Sequence, residues 1–166
     1  MELTMKIEEA IKTRKFTTSK EKALVNILFT YGWLFNKEKD NFKQFGITPQ
    51  QYNVLRILKG QYPKSISTCD IKERMLDKNS DASRLVDRMF TNGLVERTVS
   101  EFDKRKVDIK ISERGISLLL SIHEQREKLD NIANALSEED AEALSLLLDK
   151  LRSIDEGEGS TPLACS

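Results

Sequence analysis

Apolar positions recur every three to four residues through most of this chain, then switch to every second residue over one short stretch. The first spacing lines one face of a helix, and the second lines one face of a strand. Leu24, Ile27, Leu28, Tyr31, Leu34 and Phe35 predict a long helix from about residue 19 to about residue 40, with Ile7 and Ile11 forming a short amphipathic arm before it. Tyr52, Val54, Leu55 and Leu58 predict a second helix behind Pro49, and residues 59 to 65, with Gly60 and Pro63, read as a loop. A third, short helix is expected from residue 68 to about residue 76, with Ile71, Met75 and Leu76 turned inward. After a polar turn over residues 77 to 80, Ala82, Leu85, Val86, Met89 and Phe90 mark the core face of a fourth helix that ends near Asn92. Gly93 is its natural stop, because glycine accepts the left-handed conformation at a helix end.

The period then changes. Residues 94 to 99 are short and rich in strand formers, and Val107, Ile109 and Ile111 alternate with Asp108 and Lys110. The polar segment between them, residues 100 to 106, makes the pair a β-hairpin. Ile116, Leu119, Leu120, His123, Leu129, Ile132 and Leu136 predict a long helix, and Ala141, Leu144, Leu147, Leu148, Leu151 and Ile154 a final one. Residues 155–166, rich in Gly, Ser and acids, are expected to be disordered. Helix starts are marked by Ser or Thr three residues before an acid or amide, at Thr18 with Glu21, Thr48 with Gln51, Ser67 with Asp70 and Ser137 with Asp140. Ser112 precedes another apolar stretch without the full box.

The order of short helix, turn, helix and charged hairpin is the plan of a winged helix-turn-helix. The fourth helix keeps Ser80, Asp81, Ser83, Arg84, Asp87 and Arg88 on its polar side, where small hydroxyls and arginines near the N-terminal end suit entry into a major groove. A solvated helix face is the competing reading, and the hairpin that follows directly tips the balance toward DNA. The hairpin tip carries Lys104, Arg105 and Lys106, and Asp103 is placed to brace Arg105 through a charge-assisted bond. An exposed charged turn is the plainer reading of that tip.

Residues 47 to 115 resemble the MarR (multiple antibiotic resistance regulator) family of bacterial transcription factors. The resemblance rests on Ile47-Thr48-Pro49-Gln50-Gln51-Tyr52 opening the second helix and on Asp77-Lys78-Asn79-Ser80-Asp81-Ala82-Ser83-Arg84-Leu85-Val86-Asp87-Arg88-Met89 in the fourth. It continues in Asn92-Gly93-Leu94-Val95-Glu96-Arg97 entering the wing and Asp103-Lys104-Arg105 at its tip. The resemblance implies a mainly α, α+β fold: a winged helix-turn-helix with a two-stranded wing over residues 46–112. Dimerisation helices flank it at 1–45 and 113–154, and a tail follows at 155–166. It also implies a homodimer bound to double-stranded DNA. Ser80, Asp81, Ser83, Arg84 and Arg88 would face the major groove, Arg105 the minor groove, and Lys104 and Lys106 the phosphates. A small phenolic or aromatic effector is a further implication, for which Tyr31, Trp33, Phe35, Tyr52 and His123 are the candidate lining. Ordinary core packing competes for those aromatics, and His123, on the apolar stripe of its helix, is expected to be packed.

Composition narrows the function without choosing it. Across 166 residues, 27 Lys and Arg balance 27 Asp and Glu, so any basic surface must come from local placement of charge. That balance keeps a second class open, a winged-helix adaptor that binds protein and not DNA. The chain has one histidine, no phosphate-binding glycine loop and no metal-type spacing, so no cofactor and no enzymatic activity are expected. Cys69 and Cys165 make no disulfide framework, and Cys69 is expected to be a small, inert thiol near the surface. No apolar run approaches the ~20 residues of a membrane span, so a cytoplasmic protein is expected.

Overall fold

Thr18 starts the longest helix among the described residues. The computed structural model describes residues 5–13, 15–100, 107–125, 132 and 134–154, and the chain forms two units, Met1–Pro49 and Gln50–Ser166. The first unit holds a single-turn helix, α1 (Ile7–Ala10), and α2 (Ser19–Lys43). The Thr18 hydroxyl accepts the Glu21 N–H at 3.1 Å, while the Glu21 carboxylate accepts from Thr17 N–H at 2.8 Å, so the expected capping box is displaced by one residue on its return side. Lys22 ties α2 to α1 through a 2.6 Å ion pair with Glu8, and that contact holds the Glu8 carboxyl below the usual carboxylate range. The helix runs past residue 40 because nothing there breaks it. Gly46, at φ 68°, is the first residue that turns the chain, and Phe42, absent from the predicted apolar face, is its one buried side chain. Leu24, Leu28, Tyr31 and Trp33 are exposed.

In the second unit, α3 (Pro49–Gln61) buries Gln51, Val54, Leu55 and Leu58. It continues through Lys59 and Gly60, which were expected in a loop. Gly60 sits in open space and is tolerated in the helix, and the chain leaves the helix at Tyr62, where the following Pro63 disfavours helical geometry. A two-residue strand, β1 (Ile66–Ser67), was not predicted, since two residues show no alternation. Its Ser67 then caps α4 (Thr68–Arg74) with a complete capping box: Asp70 N–H to Ser67 Oγ at 3.1 Å and Ser67 N–H to Asp70 Oδ2 at 3.2 Å. Ile71 and Met75 are buried as expected. Leu76 is not: Met75 turns extended (ψ 142°), the helix ends at Arg74, and Leu76 points to solvent at 87 % exposure.

The next helix, α5 (Ala82–Thr91), buries Ala82, Leu85, Val86 and Met89. Phe90, expected in the core, is 45 % exposed. Gly93 turns the chain at φ 68° into β2 (Val95–Val99), which pairs antiparallel with β3 (Val107–Ile111) in the register Val95↔Ile111, Arg97↔Ile109, Val99↔Val107. β1 joins the other edge of β3, giving a three-stranded antiparallel sheet in the order β1-β3-β2. Ile109 and Ile111 face the core.

Ser112 starts α6 (Glu113–Glu124) by accepting Gly115 N–H at 3.0 Å, and its own hydroxyl donates to Gly93 O at 2.7 Å. Gly115 is where helix meets sheet: a Cβ there would lie 2.4 Å from Leu94 O and 2.8 Å from Ile111 Cγ1. The long helix expected to reach Leu136 instead ends at Glu124, where Gln125 leaves helical geometry. Leu129 lies outside the described residues. The last described helix, α7 (Glu138–Arg152), is capped by Ser137, which accepts Asp140 N–H at 3.2 Å, and it buries none of its side chains. The tail over residues 155–166 lies outside the described residues. No described helix is long and apolar enough to cross a membrane.

Candidate nucleic-acid interface

Helices α4 and α5 and the connection between them form the helix-turn-helix, and one aspartate shapes the turn. Asp77 accepts Asn79 N–H at 3.0 Å and the Ser80 hydroxyl at 2.8 Å. The side chain of Asn53 on α3 accepts the N–H of Leu76 at 3.0 Å and anchors the turn from below. Asp81 is the N-cap of α5. Its carboxylate accepts Arg84 N–H at 3.0 Å and lies 3.3 Å from Arg84 Nε. Ser80 and Asp81, expected among the base-facing side chains, also build the start of the helix. Ser83, Arg84, Asp87 and Arg88 are exposed along one side of α5, and the Arg84 side chain is 85 % exposed.

Behind them stands Arg97 on β2, a residue the sequence reading passed over as part of the strand. Its guanidinium pairs with Asp87 and lies 4.7 Å from the centre of the Phe90 ring. That stacking explains why Phe90 stays out of the core: the ring covers a cation. The signal was present in the sequence, because Arg97 holds the period-two position between Val95 and Val99. Helix and sheet enclose a recess of about 240 Å³ lined by Thr68, Ser83, Val86, Asp87, Arg97 and the β3 residues Val107 and Ile109.

The wing stem is β2 with β3. Its tip, including Asp103, Lys104, Arg105 and Lys106, lies outside the described residues. The capping contact of α4 has an electrostatic consequence: hydrogen bonding from Ser67, with a smaller contribution from Arg74, holds the Asp70 carboxyl below its ordinary value. Cys69, half-buried on the same helix, is disulfide-bonded, which corrects the expectation of an inert thiol.

The candidate effector residues are distributed over both units. In the first, the Tyr31 and Phe35 rings lie 6.0 Å apart and tilted, with Trp33 exposed between them in sequence. In the second, the Tyr52 hydroxyl accepts from Arg56 at 3.1 Å. His123 is exposed, not packed, because it falls one residue beyond Ile122, a buried position of α6.

Comparison with known proteins places this geometry. A sequence model of the MarR family matches residues 47–107. The chain is 29% identical over 110 residues to the HTH-type transcriptional regulator MgrA of Staphylococcus aureus, spanning 66% of this chain and 73% of MgrA. Among solved structures it is similar to a MarR transcription factor from Planctomyces limnophilus, with a TM-score of 0.62 and 29% identity over 81% of this chain and 98% of that one. Staphylococcus aureus MepR in its DNA-binding conformation aligns with a TM-score of 0.61 and 25% identity, over 76% of this chain and 93% of MepR.

Proposed function

We propose that the chain is a sequence-specific DNA-binding transcriptional repressor that acts as a homodimer, a reading supported by the match of residues 47–107 to the MarR family model and by the likeness to a solved MarR transcription factor. The observation that carries the reading is the division of α5. Ala82, Leu85, Val86 and Met89 anchor it, while Ser83, Arg84 and Arg88 are exposed on the side away from the core. Such a helix can enter a major groove without disturbing its own packing. Ser83 and Arg84 are the base-reading residues, and Arg84 carries the planar fork that suits a guanine edge. Lys104, Arg105 and Lys106 serve the wing, with Asp103 bracing Arg105 beside a minor groove. Ser80 and Asp81 support this surface by fixing the start of α5.

Two recognition helices related by a twofold axis call for an imperfect palindrome with half-sites about 10 bp apart. A small aromatic or phenolic effector that reaches Tyr31, Trp33, Phe35, Tyr52 or His123 changes DNA affinity only if it binds two spacings of the recognition helices unequally. The deciding experiment is selection of bound duplexes from random DNA, followed by a salt titration of the enriched sequence. The expected result is a palindromic consensus whose affinity falls steeply with salt. Arg105→Ala should weaken binding to every duplex and flatten the salt dependence, whereas Ser83→Ala and Arg84→Ala should change which sequences are preferred. No enrichment, with salt-insensitive behaviour, overturns the reading in favour of the adaptor that the balanced charge keeps open.

A further inference from the structure

We propose that Arg97 is a positioning residue for DNA recognition: by clasping Asp87 and Phe90 it sets how α5 sits on the sheet, and so where Ser83 and Arg84 meet the bases. The inference rests on the DNA-binding reading and adds a residue to it. A short helix held only by an apolar stripe is free to roll about that stripe, since burial of apolar area is not directional. In α5 the stripe is Ala82, Leu85, Val86 and Met89. Asp87 lies one turn beyond Ser83 on the same side, so any roll that misplaces Ser83 also moves Asp87. Arg97 opposes such a roll in two directions at once. The carboxylate of Asp87 pairs with one guanidinium nitrogen, and the guanidinium carbon lies over the Phe90 ring, 4.7 Å from its centre.

Arg97 is itself fixed, because its backbone pairs with Ile109, which is 2 % exposed. The same strand leads to the Val99↔Val107 pair at the base of the wing, so the clasp ties recognition helix and wing to one frame. A charge argument points the same way. An unpaired Asp87 on the exposed side of α5 would repel phosphate, and Arg97 neutralises it. Paired with Asp87 and set against the Phe90 ring, Arg97 acts on DNA in this proposal through the placement of α5 and not as a phosphate ligand.

The test uses the full chain, the duplex enriched from random DNA and a scrambled duplex of the same length, with Arg97→Lys, Asp87→Asn, Phe90→Leu and the Arg97→Lys/Asp87→Asn double variant. Each single variant is expected to lower the ratio of affinities for the enriched and scrambled duplexes by roughly fivefold to tenfold with an unchanged salt slope, and the double variant to fall no further. A loss of stability alone leaves that ratio unchanged. A fifth variant, Arg97→Ala, removes the charge: a salt slope reduced by about one there makes Arg97 a phosphate contact and overturns the proposal; so does an unchanged ratio in the single variants. If the wild-type chain prefers no duplex, the DNA-binding reading fails by itself. Amide hydrogen exchange across α5 then decides the clasp, with equal acceleration in Arg97→Lys, Asp87→Asn and the double variant expected, and no acceleration overturning it.

Discussion

Gly115 shows how much one missing methyl group carries. With Leu94 O at 2.4 Å and Ile111 Cγ1 at 2.8 Å from where a Cβ would be, an alanine there has to push α6 off the sheet. Gly115→Ala should cost about 1–3 kcal/mol, read as a lower thermal midpoint. Gly60→Ala is the opposite case. It sits in a helix with open space around it, so alanine should stabilise by up to about 1 kcal/mol. Equal effects at the two positions would contradict the packing described at Gly115. The two glycines look alike in the sequence, and Gly60 even led to a loop assignment. What separates them is contact across long sequence distance, which local pattern does not encode.

Among the elements, those with strong stripes and caps were legible: α2, α3, α5, the β2–β3 hairpin and α7 all lie where their periodicity put them, with ends displaced by a few residues. The misses have physical causes. β1 is too short to show a period, and the end of α4 is set by the extended turn at Met75, which leaves Leu76 outside. Phe90 looked like a core residue because its cation partner, Arg97, comes from another element. Ser80 and Asp81 also build the turn and the cap of α5, since capping and base contact favour the same small polar side chains. The α4 cap offers a test at this scale. Ser67→Ala should cost about 1 kcal/mol and remove the main cause of the lowered Asp70 pKa. Because the folded carboxyl titrates below its ordinary 3.8, its contribution is complete above that value and is lost as pH falls through the lower folded value. Asp70→Asn should therefore flatten the acid end of the stability profile. An unchanged acid limb would show that the capping contact does not hold in solution.

For the whole molecule, the described helices outside the winged domain leave much apolar surface uncovered. Leu144, Leu147 and Leu151 on α7 are exposed at helical spacing, and α7 buries nothing of its own. Stripes of this kind are normally covered by another chain or another element. Sedimentation at micromolar protein should give a dimer, and Leu147→Glu should shift it toward monomer while weakening DNA binding. A wild-type chain that sediments as a monomer removes both the dimer and the palindrome argued from it.

Ser112 ties the turn before the hairpin to the first helix after it, through Gly93 O on one side and Gly115 N–H on the other. Ser112 thus closes the hairpin at its root. It follows that the wing is an exchangeable cassette: its length and charge can drift, or be redesigned, without renegotiating the core. Four Gly/Ser residues inserted after Asp103 should lower stability by less than about 1 kcal/mol while changing DNA affinity. The same insertion in a Ser112→Ala background should cost more, because the root then has to be closed by the strands alone. A large loss from the insertion with Ser112 intact would mean that tip and root fold as one piece.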